Sequence, residues 1–269
     1  MLPAKTGWVV TSSRTFLDMA MEWSDEGIVL SIRRHGESSA VLSLLTLDYG
    51  RHLGLVRGGA GRRTRGLLQP GNRINARWRA RLPDHLGTII CEQRQILASA
   101  ILADRRRLAV ISAACAVAET ALPEREPVAA IYRSLADLFA SIESDFDWPA
   151  CYVRWEVALL AELGFALDLR FCAVTGTTGD LMYVSPRSGR AVSATAGAPW
   201  HDRLLHLPPF LIGDVAPAGR DAIADGLALT GHFLLRHVYA EQGRRLPAAR
   251  ARLPQEIGRG DLNSVTARG

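Results

Sequence analysis

The fold is decided by residues 26–57, which read EGIVLSIRRHGESSAVLSLLTLDYGRHLGLVR. Short apolar runs alternate here with turn signals at Gly36 and Gly50, and Gly71 marks a later turn. The predicted strands cover residues 27–34, 40–47, 51–57, 73–82 and 87–97. Five strands within about 80 residues are too few for an immunoglobulin-like sandwich and are typical of a small closed barrel. We therefore expect an OB-type β-barrel.

The apolar spacing changes after about residue 100 from a period of two to intervals of three and four, which indicates helices. The predicted helices run from Leu102 to the loop at Pro123, then over 128–142, 149–163 and 220–239. The expected fold class is α+β. We expect residues 1–20 to be a start-site extension or disordered, residues 21–100 to form the OB-type barrel, and residues 101–269 to form a helical domain. The helical domain contains an insertion at about 170–207, which is the segment of the zinc-ribbon-like pattern, and a frayed polar tail after Leu246.

The composition excludes several classes of protein. The chain has 269 residues, 48% of them hydrophobic and 22% charged, which is typical of a globular protein. No apolar run approaches the roughly 18 residues that a membrane span needs. Lys5 is the only lysine, so the predicted folded body offers neither a phosphate-binding-loop lysine nor a Schiff-base amine. The four cysteines lie far apart without a CxxC pair, which favours a reducing cytoplasm.

The basic residues point to a polyanion. The net charge is +5, and no acidic residue lies between Asp48 and Asp84. Because this segment cannot neutralise itself, we expect its guanidinium groups to face solvent or a phosphate backbone. The candidate DNA-binding residues are Arg51, Arg57, Arg62, Arg63, Arg65, Arg73, Arg77, Arg79 and Arg81.

Two local patterns refine this prediction. Arg77, Arg79 and Arg81 alternate with Trp78, so on a strand the arginines share one face and the tryptophan lies on the other. Residues 57–65 are rich in glycine and arginine, and we expect a mobile loop whose backbone can approach a phosphate closely. The available rings are Trp78 and Tyr49, and Trp78 is either a packing residue or a stacking platform. We expect sequence-tolerant binding led by backbone contacts.

Motifs for catalysis and for metal binding are weak. His201 and His206 are five residues apart, as are His232 and His237, a spacing that does not place two ligands on one helix face. No GxSxG, GxGxxG or HExxH motif occurs, so we expect a non-enzyme. A zinc-ribbon geometry fits around 172–196, but of its four ligand positions, Cys172, Thr175, Ser193 and Ala196, the first alone is a cysteine. We therefore expect a metal-free segment without cofactors.

Several segments resemble the RecO family of bacterial recombination mediators. The first two are residues 26–39 and 49–58, and Leu68-Gln-Pro-Gly71 is a third. Others are Gly164-Phe-Ala-Leu-Asp-Leu169, Cys172 and residues 183–192, and the match is collinear from about Met21 to Pro209. The resemblance implies an OB barrel and a cytoplasmic DNA-repair protein. Some family members carry four zinc cysteines where this chain has Cys172 alone.

The resemblance also implies activities and partners. Such a protein binds single- and double-stranded DNA, anneals complementary strands, and helps to load the recombinase RecA, indirectly and through RecR. It also engages the acidic C-terminal tail of single-stranded DNA-binding protein (SSB), for which Arg105, Arg106, Arg107 and Arg133 are candidate contacts. Two alternatives stay open: an RNA-binding OB-fold protein, marked by recognition of the 2′-hydroxyl, and a metal-dependent enzyme acting on nucleic acid.

Overall fold

The structure is a computed structural model that describes residues 21–97, 101, 103–213 and 217–258, except for the side chain of Arg63. The predicted extension at 1–20 lies outside the described residues. The first five strands are β1 (Met21–His35), β2 (Ser39–Thr46), β3 (Gly50–Val56), β4 (Arg73–Ala80) and β5 (Thr88–Gln95), and a short helix α1 (Arg62–Leu67) lies between β3 and β4.

These strands form a closed barrel in the order β1-β2-β3-β5-β4. The 15-residue β1 pairs with β4 through its first half and with β2 through its second, and its register shifts between Val29 and Ser31. Such a bulge bends a strand and lets it serve two neighbours. The parallel pair Leu55–Thr88 closes the barrel between β3 and β5. The predicted OB-like barrel is therefore confirmed.

The second half of the chain is mainly helical. Its principal helices are α2 (Arg105–Ala121), α3 (Ala129–Glu143), α4 (Trp148–Glu162), a four-residue α5 (Ala194–Gly197), α6 (Arg220–Phe233) and α7 (Ala248–Gly258). A π-helical turn over Leu234–Tyr239 extends α6. The strands β6 (Leu181–Val184), β7 (Ala191–Ser193) and β8 (Leu205–His206) form a small antiparallel sheet within the insertion. None of the described helices is long and apolar enough to cross a bilayer.

The buried apolar residues form two clusters, and the barrel contributes to both of them. Trp78 and Leu42 fill the barrel interior, whereas Ile28, Leu30 and Leu45 belong to the buried cluster formed mainly by the helices. Across the same boundary, the Cys115 thiol lies 3.6 Å from the Val29 carbonyl oxygen. The helices therefore cover part of the outer barrel surface, and the outer face of β4 stays exposed.

The chain after Leu246 is a correction to the sequence prediction. The expected frayed tail instead includes helix α7, in which Leu253 and Ile257 are buried. This helix packs mainly against α2 and also against α6. Residues 247–258 therefore belong to the folded domain, and the rest of the tail lies outside the described residues.

Candidate nucleic-acid interface

One end of the barrel concentrates exposed arginines. Arg33 and Arg34 lie at the end of β1, Arg57 follows β3, and Arg62 and Arg65 lie on α1. We call these five residues the basic end. Among the described contacts, Arg33 pairs with Glu119 at 2.9 Å, and no carboxylate pairs with the other four. Within the described chain, Arg34 donates only to the Gly36 and Glu37 carbonyls, at 3.3 and 3.1 Å. Guanidinium groups without a carboxylate partner keep their positive charge available to a phosphate.

The backbone explains why these residues lie together. Arg34 pairs with Ala40, and Ala40 pairs with Val56, the residue before Arg57. Two strand spacings place β1 and β3 about 10 Å apart at this point. The Ala60 amide donates to the Ser38 carbonyl at 3.1 Å, which ties the segment before α1 to the β1–β2 turn. The sequence analysis identified Arg57, Arg62 and Arg65 as candidates. It missed Arg33 and Arg34, which precede Arg57 by more than 20 residues in the chain.

The segment 57–65 is more ordered than a mobile loop. Gly58 adopts a positive φ of 71°, which favours glycine, and α1 begins at Arg62. Arg62 and Arg65 are exposed. Arg63 is in the same helix, but its side chain lies outside the described residues. The expected loop is therefore a turn followed by a short helix that presents two arginines to solvent.

The alternation predicted for β4 is present. Arg77 and Arg79 are exposed on the outer face, Trp78 points into the barrel, and Arg81 is exposed just after the strand. Three other findings correct the assumption that the acid-free segment leaves its guanidinium groups unpaired. Arg51 pairs with Glu124 at 3.3 Å, and the Arg73 and Arg77 guanidinium groups contact Glu26 and Glu22. The acidic partners come from outside the segment, so counting its charges could not find them.

Trp78 is a packing residue. It is 2% exposed, and its indole Nε1 donates to the Leu86 carbonyl at 3.0 Å. Its ring stacks on Trp23, which in turn stacks on the partly exposed Tyr49 with centroids 4.6 Å apart. Trp78 therefore cannot receive a base, and the exposed ring of this stack belongs to Tyr49.

The helical domain contains a separate groove that includes one of the predicted tail-binding arginines. We call this cavity of about 120 Å³ the Arg106 groove; it is lined by Arg106, Pro149, Ala218, Arg220, Ile223, Ala224, Leu227, Pro254 and Ile257. The Arg106 guanidinium donates to the Ile257 carbonyl at 3.1 Å. The groove thus combines an apolar floor with two guanidinium groups. Sequence reasoning missed the α7 wall because α7 was not predicted, and it missed Arg220 because this residue is far from Arg106 in the sequence.

The other three predicted tail contacts lie differently. Arg105 is exposed and pairs with Glu256 of α7 at 3.2 Å. Arg107 donates to the Ile142 carbonyl and pairs with Asp145 at 2.7 Å. Arg133 is exposed on α3 and is not part of the groove lining. The four arginines therefore do not form a single groove.

The side chains at the four ligand positions of the expected zinc ribbon do not suit a zinc ion. The Cys172 thiol donates to Ser193 Oγ at 3.5 Å and accepts from the Ser193 amide at 3.3 Å. Burial opposes ionisation of this thiol, but hydrogen bonds from Ser193 and Thr175 lower the pKa of Cys172 to about 6. The described residues include no group of three or more potential metal ligands. One thiol with two hydroxyl groups and an alanine does not fit structural zinc, which needs four thiolate or imidazole ligands.

The four histidines that the sequence singled out contact different partners. His201 pairs with Asp202, and His206 packs against Tyr183. His232 lies 3.0 Å from the Pro186 carbonyl, and the His237 ring stacks on Phe165. None of these four is hydrogen-bonded to a candidate nucleophile within the described chain.

Comparisons with known proteins agree with this architecture. The family model "Recombination protein O N terminal" matches residues 19–95, and "Recombination protein O C terminal" matches 102–246. The protein "DNA repair protein RecO" of Rhodospirillum rubrum is 52% identical over 245 residues, covering 89% of this chain and 97% of the relative. The "DNA repair protein RecO" of Rhodospirillum centenum is 52% identical over 234 residues, which cover 86% of this chain and 93% of the relative. The protein of the same name from Rhodopseudomonas palustris is 48% identical over 251 residues, which cover 91% of this chain and 96% of the relative.

A barrel with a basic surface, joined to a helical domain and matched along most of its length by DNA-repair proteins, defines a protein of DNA repair and recombination. The chain belongs to the RecO family.

Proposed function

We propose that the protein is a recombination mediator that binds single- and double-stranded DNA and anneals complementary strands. The basic end carries this proposal, because Arg34, Arg57, Arg62 and Arg65 are exposed and pair with no carboxylate among the described residues. Arg79 and Arg81 extend the basic surface beyond this end. Arg63 and the internally paired Arg51, Arg73 and Arg77 remain candidate DNA contacts.

Annealing by this surface needs no covalent chemistry. Guanidinium groups neutralise the phosphate repulsion between two strands and release condensed counterions, and base pairing then supplies free energy. Because phosphates carry no base identity, we expect binding that tolerates sequence and weakens steeply with salt.

We propose that the protein is not an enzyme and acts in the cytoplasm without a cofactor or zinc. Metal analysis of protein purified with zinc present should find far less than one zinc per chain.

The Arg106 groove supports a proposal for the SSB partner. An acidic peptide with apolar side chains matches its two guanidinium groups and its apolar lining. We propose that the C-terminal tail of SSB docks there, near Arg105 at its edge, and that Arg107 and Arg133 act as peripheral charges. RecR is the proposed direct partner in loading the recombinase RecA onto SSB-coated DNA, and no particular surface is assigned to it.

The test is annealing of two complementary oligonucleotides coated with SSB, with and without the protein, over a range of salt and without nucleotide. Acceleration that fades as salt rises is expected. A folded protein that binds DNA but does not accelerate annealing would contradict the mediator role. A strong preference for RNA would favour an RNA-binding protein instead, and metal-dependent turnover of DNA would favour an enzyme.

A further inference from the structure

Two carboxylates of β1 lie beside the arginines of β4 on the outer face of the barrel. Glu22 is opposite Arg79 in the strand register, and its carboxylate accepts a hydrogen bond from Arg77 Nε. Glu26 is opposite Asn75 and contacts the Arg73 guanidinium. The outer face of β4 is therefore a cross-strand ladder of acids and bases, and its positive charge is partly neutralised.

The two carboxylates are held very differently. Glu26 accepts hydrogen bonds from Arg73 and Tyr132, the latter at 2.8 Å, and it pairs with Arg94 at 2.7 Å. Three donors and partial burial fix it as a structural link between the barrel and α3. Glu22 contacts Arg77 alone within the described chain, and the two side chains are 30% and 62% exposed. A single solvent-exposed ion pair is weak, so a competing anion can displace this carboxylate.

We propose that Glu22 is an exchangeable internal ligand of Arg77 that competes with the DNA phosphate and thereby sets the affinity of the outer barrel face. This inference rests on the proposed DNA-binding function. Arg79 and Arg81 are exposed and carry no carboxylate partner among the described contacts, so a phosphate can bind there first. Arg77 is one outward position away along β4, and it contributes to binding once Glu22 is displaced.

The same face offers a matched control. A cavity of about 580 Å³ beside Arg77 is lined by Glu26, Glu92 and Arg94, among others. Glu92 lies on β5 opposite Asn75, is exposed, and pairs with no arginine among the described residues. Substituting Glu22 or Glu92 by glutamine removes one negative charge from the same face, but the first substitution alone frees an arginine.

The experiment measures the affinity of the full chain for a fluorescent single-stranded oligonucleotide at several salt concentrations. Glu22→Gln should tighten binding about two- to fivefold near 0.1 M salt and steepen the salt slope by up to about 0.7, the value for one added single-strand phosphate contact. Glu92→Gln should change affinity less than twofold. In an Arg77→Gln background, Glu22→Gln should change affinity less than twofold, as Glu92→Gln does, because the arginine that it frees is absent.

Each of three results would overturn the inference: unchanged affinity in Glu22→Gln while the wild type binds DNA, equal tightening in Glu92→Gln, or tightening that persists in the Arg77→Gln background. The last two would show a general field effect of charge. A wild-type protein that is folded but binds no DNA at low salt would overturn the proposed function itself, and the inference with it.

Discussion

The guanidinium of Arg250 in α7 forms two hydrogen bonds with the carboxylate of Glu156 in α4, at 2.6 and 2.9 Å, and the side chains are 2% and 0% exposed. The same guanidinium donates to the Leu227 carbonyl, and Thr230 and Tyr152 donate to the carboxylate. This buried pair joins α7 to the body of the helical domain. Because each charge is fully enclosed, removal of either one leaves the other without compensation.

Arg250→Met should therefore destabilise the protein strongly. A buried carboxylate that loses its cation costs about 3–5 kcal/mol, whereas replacement of both members by apolar residues is often nearly neutral. The double variant Glu156→Leu/Arg250→Met should recover a large part of the lost stability, although Tyr152 loses a hydrogen-bond acceptor. Urea denaturation of the three proteins measures this. A double variant that is less stable than Arg250→Met would contradict the argument.

The Arg106 groove depends on this pair because α7 supplies one of its walls through Pro254 and Ile257. Arg220→Gln removes an exposed guanidinium from the groove and should weaken binding of a peptide with the sequence of the SSB tail about fivefold, or about 1 kcal/mol. Arg133→Gln, which removes an equal charge outside the groove lining, should have little effect. Fluorescence anisotropy with a labelled peptide distinguishes them, and equal weakening in both would argue against this groove.

The sequence predicted the elements whose periodicity is local. All five barrel strands were predicted, and most of their ends lie within a few residues of the predicted ones. The apolar alternation in β4 and the turns at glycines such as Gly50 depend only on near neighbours in the sequence. The missed features depend on distant partners. Arg250 looks like a solvated residue of a polar tail until α7 brings it to Glu156, 94 residues earlier in the chain. Likewise, charge counting within the acid-free segment could not show that Glu22 of β1 and Glu124 of the loop between α2 and α3 pair with its arginines.

His52 should make the barrel sensitive to acid. Burial among Trp23 and Trp78 lowers the pKa of His52 below its usual 6.5, although a hydrogen bond with the Tyr49 carbonyl opposes the shift. The unfolded chain therefore binds a proton at higher pH than the folded chain does. The stability linked to this residue is complete above about pH 6.5 and is lost as the pH falls through the folded pKa.

The measurement compares urea denaturation of the wild type and of His52→Asn at pH 7.5 and pH 5, because the asparagine amide matches the position of Nδ1, which donates to the Tyr49 carbonyl. The wild type should lose more unfolding free energy between these two pH values than the variant loses. Identical losses in both proteins would assign the acid sensitivity to carboxylates elsewhere.

The basic end should determine the salt dependence of DNA binding. Arg62 and Arg65 are exposed on α1 and pair with no carboxylate among the described residues, so Arg62→Gln/Arg65→Gln should weaken binding without disturbing the fold. Because phosphates are not sequence-specific, the loss should be similar for all oligonucleotide sequences, and the salt slope should fall by up to about one unit for each lost phosphate contact.

Adding Arg63→Gln should extend the loss if that side chain also contacts DNA. Arg252→Gln, an exposed arginine on α7, serves as the control for net charge. Affinities measured between low and moderate salt give the slopes, and a slope that is unchanged in the double variant would exclude α1 from the DNA interface.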